Sequence, residues 1–420
     1  MATIPAQDLA SVDLSDLSLW EDGPPHELFG RMRREQPVHW SPLGGFAWEA
    51  GFWSVTRYED IVWVGRDWET FSSERGGILA VNQFMETPPP GAPEDPLALQ
   101  RLMMISQDPP RHDRLKALVQ RAFTPKRALD HTERMREIIN GAYDRALERN
   151  PGGHFDLVQD VGVYVPAMVI GDMLGVPRED AFKLVDWTNR TTAFEDPRVV
   201  KDIEDTWVAL QEVFGYVHQI VEARKAHPQD DLTTALLQAE VDDEHLTDEQ
   251  VIMFWFLLMV AGNDSTRATF TSGMRSLLED PEQLALVRDG AVTREQAIEE
   301  FVRYHPAFAY MRRTAMRDTE IAGQPIAEGD KVLLWFVSGN RDESVFEDPH
   351  RFDVRRDPNA HQGFGGGGRH FCLGAGLARL EMQIWLEETL RRFPDLRLDG
   401  AGDRLASTFL NQNRSIPVAV

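Results

Sequence analysis

The feature that most limits the possible folds is one long helix pattern in the middle of the chain. Thr247 and Gln250 are spaced as a capping box, in which each side chain satisfies a backbone N–H of the other residue. The pattern continues to about Leu278, which predicts a helix of roughly 45 Å. A helix of that length crosses a whole domain, so the rest of the chain must pack around it.

The centre of this helix changes from apolar to small and polar at AGNDST, residues 261–266. A glycine there costs about 1 kcal/mol relative to alanine, and Asp264 is expensive to bury unless it is paired. Helical spacing places four residues on one face: Leu258, Ala261, Gly262 and Ser265. The pattern predicts a groove for a small ligand, with an alcohol and a carboxylate beside it to deliver protons. The alternative, a solvent-facing kink, is disfavoured by the apolar run before it.

A second feature is the glycine-rich stretch GFGGGGRHFCLG, residues 363–374, which contains the only cysteine, Cys372. An amphipathic helical run, Leu377 to Phe393, follows it. The thiolate is the metal-binding form of cysteine, and a helix N-terminus or a nearby metal favours it. Glycines let a flat ligand approach the backbone and let N–H groups point at the sulfur. This combination suits an axial thiolate ligand to haem iron.

Three other kinds of site compete with a haem ligand for the same stretch. A phosphate-binding loop requires Lys and then Ser or Thr after its last glycine, whereas Gly368 is followed by Arg369 and His370, so that kind of site is excluded. A buried inert cysteine and a nucleophilic cysteine stay open, although no histidine stands out as a partner for a nucleophile.

Composition narrows the class of protein. The net charge of −24 and the pI of 4.9 argue against nucleic acid and anionic membranes as partners. One cysteine excludes an internal disulfide framework and fits a reducing cytosol. The N-terminus lacks the basic start and apolar core of a signal peptide, and the longest apolar run, Val251 to Ala261, is too short to span a bilayer. We therefore expect a cytoplasmic protein without a membrane anchor.

Helical periodicity dominates the chain. Helices are expected at about 26–37 and 59–65, after Asp108-Pro109-Pro110, and from there to about 290, with breaks at Pro and Gly. Short strands are expected near 40–60 and 311–337.

Gly and Pro are frequent in residues 72–100, and we expect a functional loop there rather than a surface insertion. No internal repeat and no convincing linker divide the chain. The expected organisation is therefore one mainly α-helical domain, residues 1–420, with small β-sheets.

Two patterns of charged residues stand out in the sequence. In segment 111–127 one acid, Asp113, faces six cations: Arg111, Arg114, Lys116, Arg121, Lys126 and Arg127. In so acidic a chain this predicts an anion-binding or docking face, and a solvated helix is the alternative. Glu300 and Arg303 lie at i and i+3 on one helix face, which alone indicates no more than a surface salt bridge.

Together these motifs resemble a bacterial cytochrome P-450, a haem-thiolate monooxygenase, over nearly the whole chain and in the order of that family. The resemblance implies the cytochrome P-450 fold, with the long helix over the haem and the cysteine loop on its proximal side. Cys372 matches the proximal ligand. Glu300 and Arg303 match a pair that an arginine of the following segment, here Arg356, completes as a structural triad.

The resemblance also implies the cofactor, haem b (iron protoporphyrin IX). The residues matched to the cofactor are His112, Lys116, Ala261, Gly262, Arg313, Phe364, His370, Cys372 and Gly374. Among them His112, Arg313 and His370 match the partners of the propionates, which as buried carboxylates require cationic or N–H donors. Asp264, Ser265 and Thr266 match the residues that deliver protons, while thiolate donation favours O–O cleavage.

The implied reaction is hydroxylation of an unactivated C–H bond: RH + O2 + 2 electrons + 2 protons gives ROH + H2O. Apolar contacts with a hydrophobic substrate are expected from the 72–100 loop, from Trp187 to Phe194, and from Leu257, Val260, Ala261, Phe308, Tyr310, Phe409 and Leu410. The chain shows no flavin or iron–sulfur domain, so electrons are expected from a separate ferredoxin that docks on segment 111–127. A monomer is expected.

Within the family, the chain looks most like the branch that hydroxylates methyl-branched lipids and cholesterol side chains. This likeness rests on AGN, residues 261–263, and on an extra glycine between Phe364 and Cys372, and it is strengthened by YMRRT (310–314) and SGNRDES (338–344). Relatives acting on terpenoids and macrolides share much of it. The chain departs from the family pattern at three positions. Ser265 replaces the usual Thr, Asp264 stands where that branch tends to have Glu, and Lys116 stands where many relatives have Arg.

Two other functions compete with an oxygen-dependent monooxygenase. A haem-thiolate peroxygenase would use hydrogen peroxide directly, but such relatives typically lack the acid–alcohol pair that Asp264 and Ser265 provide. A non-enzymatic haem sensor would show a haem spectrum without turnover.

Overall fold

The computed structural model describes residues 8–43, 50–80, 98, 100–122, 129–193, 195–241 and 244–420. The helices, in chain order, are α1 (His26–Glu35), α2 (Tyr58–Arg66), α3 (Arg111–Ala122), α4 (Thr132–Arg149), α5 (Val165–Leu174), α6 (Ala181–Thr192), α7 (Ile203–Ala226), α8 (Leu232–Leu237), α9 (Asp248–Glu279), α10 (Pro281–Arg288), α11 (Arg294–Tyr304), α12 (Phe336–Gly339) and α13 (Ala375–Arg392). The mainly helical fold expected from the sequence is confirmed.

Strands are short and form small sheets. In chain order they are β1 (Val38–Pro42), β2 (Gly51–Val55), β3 (Phe71–Ser72), β4 (His154–Asp156), β5 (Glu240–Val241), β6 (Glu244–His245), β7 (Tyr310–Ala315), β8 (Thr319–Ile321), β9 (Gln324–Ile326), β10 (Lys331–Trp335), β11 (Arg397–Leu398), β12 (Asp403–Arg404), β13 (Asn413–Ser415) and β14 (Pro417–Ala419). The largest sheet has the order β1-β2-β10-β7-β3, and a second has the order β11-β14-β4.

Helix α9 is the predicted long helix, and its start is the predicted capping box. The Thr247 side chain accepts the Gln250 N–H, and the Gln250 side chain accepts the Thr247 N–H. At 32 residues the helix is roughly 48 Å long. It packs against α5, α6, α7 and α11. The first half of α9 contributes Phe254 and Trp255 to one apolar cluster, and the second half contributes Phe270 to another.

Strands of the two predicted β regions pair in one sheet, whereas β8 and β9 form a separate two-stranded sheet. Strand β2 pairs in parallel with β10, with Val332 opposite Trp53, and β10 pairs antiparallel with β7. Residues 44–49, in the first part of the predicted strand region, lie outside the described residues. The predicted β regions do not include the strands from β11 onward or the strands β3, β4, β5 and β6. They contain only two or three residues each, which is too short for a period-of-two pattern to be recognised.

One stretch in the described part of the chain, Leu157–Leu174, has the length and apolar composition of a membrane-crossing helix, and 72% of it is buried inside the protein. It is a π-helical segment, Leu157–Gly162, followed by α5. Its buried side chains pack against the second half of α9 and against α4, as expected of a core element.

Candidate active site

The predicted face of α9 and the glycine-rich loop lie on the walls of the same cavity, which has a volume of about 240 Å³. Helix α9 contributes Leu257, Leu258, Ala261, Gly262, Ser265, Thr266 and Thr269. The loop contributes residues 363–367 and 370–374. All four residues assigned to one face of the long helix therefore line the cavity, and the solvent-facing kink is excluded.

Small side chains shape the α9 wall. A Cβ on Gly262 would lie 3.3 Å from Cγ1 of Ile170 in α5, so glycine lets the two helices approach closely. The Ser265 hydroxyl donates to the backbone carbonyl of Ala261 at 2.6 Å. The hydroxyl proton therefore points at the preceding turn of the helix, and the lone pairs of the oxygen can accept a hydrogen bond.

Asp264 does not line this cavity. Its carboxylate is buried, is paired with Arg267 one turn further along α9, and accepts a hydrogen bond from the hydroxyl of Thr192 at the end of α6. Arg267 also donates to Asn189 at 3.2 Å and to Gln412 at 3.3 Å. The predicted proton-delivery acid therefore lies in a polar network behind the helix, next in sequence to the alcohol that faces the cavity.

Cys372 also lines the cavity, at the end of the glycine loop and just before α13. Its backbone N–H donates to Phe364 O at 3.0 Å, which closes the loop. A Cβ on Gly363 would lie 2.4 Å from Val302 of α11, so this position has no room for a side chain. The thiol is accessible, because it opens into the cavity.

The surroundings of the thiol act on its pKa in opposite directions. Burial among protein atoms raises the pKa of Cys372, while hydrogen bonding from the Gly374 N–H and the positive charges of Arg379 and Lys116 lower it. Burial prevails and the pKa is raised. A positive metal ion in the cavity would reverse this result, because a coordinated thiol is deprotonated.

Cationic and N–H donors gather at one end of the cavity. His112, Lys116, Arg313 and His370 all line it. The imidazole rings of His112 and His370 are 4.4 Å apart. Burial lowers the pKa of both histidines. His112 Nδ1 lies 2.9 Å from Asp113 Oδ1, and Lys116 hydrogen-bonds the carbonyls of Arg369 and Phe371.

Two of these donors have few hydrogen-bond partners among the described residues. In the part of the chain that the structure describes, Arg313 makes no ion pair and donates only to Arg312 O, at 2.8 Å. Burial lowers the pKa of Arg313 to about 10, with Asp108 opposing the shift. His370 Nε2 has no hydrogen-bond partner among the described residues. Buried donors of this kind fit the two carboxylates of a haem, so the residues match the implied cofactor.

Glu300, Arg303 and Arg356 form an ion-pair network away from the cavity. Arg303 donates to both carboxylate oxygens of Glu300, at 2.8 and 2.7 Å, and both side chains are fully buried. Arg356 Nε lies 3.4 Å from Glu300 Oε2. Arg303 also donates to the carbonyls of Asn340 and Pro349, so it ties α11 to the irregular segment that leads to the glycine loop.

The expected substrate contacts divide into two groups. Leu257, Ala261 and Phe308 line the cavity, whereas Val260, Tyr310, Phe409 and Leu410 do not. Three of the latter form a layer behind Phe308. The Phe409 ring is 5.0 Å from Phe308 and 5.2 Å from Tyr310, and Leu410 forms a backbone bridge with Phe308.

Other expected contacts lie elsewhere. The described residues of Trp187 to Phe194 do not line the cavity, and Phe194 itself lies outside the described residues, as do 81–97 and 99 of the predicted loop.

Sequence reasoning missed several residues of the cavity wall. Met104, Ile105, Val169 and Ile170 line it, and nothing in their local pattern marks them. Glu381 also lines it, with Oε1 unpartnered among the described residues and the pKa raised by burial to about 8. Glu381 follows Leu377 by one helical turn, so an acid on the apolar face of the predicted helix was the available signal.

The chain matches the sequence model of one family, described as cytochrome P-450, over residues 97–289 and 294–405. It is 37% identical over 420 residues to a methyl-branched lipid omega-hydroxylase of Mycobacterium tuberculosis, covering 99% of this chain and 96% of the relative. It is 36% identical over 403 residues to a steroid C26-monooxygenase of Rhodococcus jostii, covering 95% of this chain and 82% of the relative.

Solved structures give the same result. A Mycobacterium marinum cytochrome P-450 in complex with pseudoionone superposes with a TM-score of 0.87 at 34% identity, and all of both chains is covered. A cytochrome P-450 of Chondromyces apiculatus superposes with a TM-score of 0.83 at 31% identity, with 98% of both chains covered.

Proposed function

Because the chain belongs to the cytochrome P-450 family, whose members are oxygen-incorporating oxidoreductases, we propose that it hydroxylates an unactivated C–H bond of a branched lipid, steroid or terpenoid. The balanced reaction is RH + O2 + 2 electrons + 2 protons, giving ROH + H2O. The observation that carries the proposal is one apolar cavity with the Ser265 alcohol on one wall and the Cys372 thiol on another.

Haem b is the proposed cofactor, and the thiolate of Cys372 would hold its iron. When bound, it supplies the activation of molecular oxygen, and thiolate donation favours O–O cleavage. His112, Arg313 and His370 would provide the donors for its two propionates, and this role is supported by His370 Nε2, which has no hydrogen-bond partner in the described part of the chain. Lys116 carries the charge that an Arg carries in many relatives, but it already binds two loop carbonyls and lacks a bidentate fork.

Two alcohols of α9 hold and move protons in this proposal. Ser265 and Thr266 both line the cavity, and the Ser265 oxygen is free to accept a hydrogen bond because its proton is directed at Ala261 O. The carboxylate of Asp264, held in the network with Arg267 and Thr192, supplies the negative charge next to these alcohols. A proton reaches the cavity in this scheme only when the Asp264 carboxylate exchanges its present partners.

The substrate class follows from the cavity wall and the relatives. Leu257, Ala261 and Phe308 supply apolar contact surface, with Met311 beside them, while Tyr310, Phe409 and Leu410 support Phe308 from behind. Val260 lies in the apolar cluster next to this wall. The printed names of the two curated relatives specify a methyl-branched lipid and a steroid as substrates. Both are largely apolar, as such a wall requires.

A spin-state screen tests this proposal. Methyl-branched fatty acids, sterols and acyclic terpenoids are added to the ferric haem protein, and the Soret band is recorded during titration. At least one of these classes is expected to shift the band toward high spin and then to be hydroxylated when a ferredoxin, its reductase and NADH are supplied. A shift followed by equal turnover with hydrogen peroxide alone would favour a peroxygenase, and a haem spectrum without any turnover would favour a sensor.

Electrons are proposed to come from a separate acidic ferredoxin that docks on segment 111–127. Lys126 and Arg127 lie outside the described residues, but Arg111 and Arg114 are exposed on α3. Lys116, on the same helix, reaches the loop that holds Cys372. A basic helix in direct contact with the ligand loop therefore offers an acidic partner a short path to the cavity. We also propose that the protein is a monomer and lies in the cytoplasm.

A further inference from the structure

A polar cluster lies next to the cysteine loop and has no part in the proposed chemistry. It consists of Glu299 on α11, His361 before the glycine loop and Arg379 on α13. Arg379 Nε donates to Glu299 Oε1 at 2.5 Å, and Nη2 donates to Oε2 at 2.9 Å. His361 Nε2 lies 2.9 Å from the same Oε2. One carboxylate therefore joins a helix, a loop and a second helix.

The hydrogen bonds of His361 fix its tautomer. The Gly363 N–H donates to His361 Nδ1 at 3.2 Å, so Nδ1 carries no proton. The other ring nitrogen, Nε2, then donates to Glu299. The negative charge of Glu299 thus faces the positive charge of Arg379 directly.

Arg379 connects this cluster to the loop that presents the thiol. Its guanidinium carbon lies 4.4 Å from the centre of the Phe364 ring, within cation–π range. The carbonyl of Phe364 accepts the backbone N–H of Cys372. The charge of Arg379 also acts on the thiol directly, where it opposes the effect of burial on the pKa of Cys372.

The carboxyl of Glu299 is held in its ionised form. Burial alone would raise the pKa of this carboxyl, but hydrogen bonds from Arg379 and His361 outweigh it and lower the pKa to about 2. The carboxylate is therefore ionised at any pH at which the enzyme is expected to work. It compensates the guanidinium permanently rather than as a switch.

On the basis of the proposed haem-thiolate function, we propose that Glu299, held by His361, is a positioning residue that orients and neutralises Arg379 and so sets the electron-donating strength of the Cys372 thiolate. An uncompensated cation beside the sulfur withdraws electron density from it and favours the reduced iron. With Glu299 in place, that cation is compensated and the thiolate remains a strong donor.

The test is a double-mutant cycle on the reduction potential of the haem protein, with Glu299→Gln, Arg379→Gln and the double variant. Glu299→Gln is expected to move the potential in the positive direction and Arg379→Gln in the negative direction. Each shift should correspond to a roughly tenfold change in the ratio of reduced to oxidised protein at fixed solution potential. The double variant is expected to lie close to the wild type.

Glu295→Gln is the matched control, because Glu295 is exposed on the same helix and acts on Arg379 only through its charge. It is expected to shift the potential much less than Glu299→Gln. Shifts of both single variants in the same direction, or shifts no larger than that of the control, would overturn the proposal. If Arg379→Gln loses haem, the comparison of Glu299→Gln with Glu295→Gln decides alone.

The reduced CO spectrum is recorded for every variant. A wild type without the red-shifted thiolate band would contradict the proposed function itself. A wild type with that band but without opposite shifts would contradict only the role of Glu299.

Discussion

At the scale of single residues, the hydroxyl of Ser265 occupies the position where the family usually has Thr. It donates to Ala261 O and faces the cavity. A serine side chain populates more χ1 rotamers than the β-branched threonine, so its oxygen is held less firmly. We therefore expect part of the reduced oxygen to be lost as hydrogen peroxide.

The variant Ser265→Thr tests this expectation. The ratio of product formed to NADH consumed is expected to rise, and peroxide release to fall, because the added methyl group restricts the hydroxyl. Ser272→Thr, on the same helix but outside the cavity wall, is the control and should leave the ratio unchanged. An unchanged ratio in Ser265→Thr would contradict the account.

Glu381 predicts a pH-dependent stability. Burial raises the pKa of this carboxyl to about 8 in the folded protein, against an ordinary value of 4.5. The folded state therefore binds the proton more tightly than the unfolded state, and the free energy of unfolding falls as pH rises from 4.5 to 8. Below pH 4.5 the carboxyl is protonated in both states, so its titration does not change the free energy of unfolding.

The variant Glu381→Gln removes this titration. The variant's free energy of unfolding is expected to exceed that of wild type by more at pH 8 than at pH 5. Urea denaturation of both haem proteins at the two pH values measures this difference. Equal differences at the two pH values would show that Glu381 does not titrate in this window.

At the scale of elements, Arg303 joins α11 to the segment that precedes the glycine loop. Its guanidinium is fully buried and donates to Glu300 and to three backbone carbonyls: those of Asn340, Pro349 and Arg351. Removing one partner of a buried ion pair leaves the other charge without compensation, which costs about 3–5 kcal/mol. Arg356, at 3.4 Å, can relieve only part of this cost.

Arg303→Met is therefore expected to lower the free energy of unfolding by about 3–5 kcal/mol and to reduce haem retention. Arg355→Met is the control, because Arg355 forms an exposed pair with Asp353 in the same segment and should leave both quantities unchanged. Denaturant unfolding and haem content after gel filtration measure the two effects. Equal stability of the two variants would contradict a structural role for the network.

The elements that could be predicted are those with local signals. The start of α9 follows from a capping box, whose hydrogen bonds join residues only three positions apart. The pairing of Trp53 with Val332 could not be predicted, because register between distant strands depends on the packing of the whole sheet.

The same distinction applies to the site. Family motifs predict Cys372, His112 and Arg313 as residues of the haem site, and all three line the cavity. Tyr310 and Phe409 were assigned to the substrate from the same resemblance, yet Phe308 separates them from the cavity. A motif transfers the position of a residue but not the direction of its side chain.

At the scale of the whole molecule, the charge distribution is uneven. The formal net charge is −24. Helix α3 nevertheless carries Arg111, Arg114 and Lys116 against Asp113. An acidic ferredoxin is repelled by most of this surface and attracted by α3, so electrostatics orients the encounter.

Arg114→Glu is expected to lower the rate of electron transfer from an acidic ferredoxin by about tenfold at low ionic strength, and less at high salt because the charge is screened. Arg397→Glu changes the net charge equally on the exposed part of β11 and is expected to have little effect. Stopped-flow reduction in the presence of CO measures both rates. Equal rates for the two variants would remove α3 from the docking surface.

The central claim is that Cys372 is the thiolate ligand of a haem in the cavity beneath α9. The reduced CO difference spectrum of wild type and Cys372→Ser tests it most directly. Wild type is expected to show the strongly red-shifted Soret band of a thiolate-ligated haem, and Cys372→Ser is expected to lose that band even where haem is retained. The same red-shifted band in Cys372→Ser, or its absence from wild type reconstituted with haem, would contradict the claim.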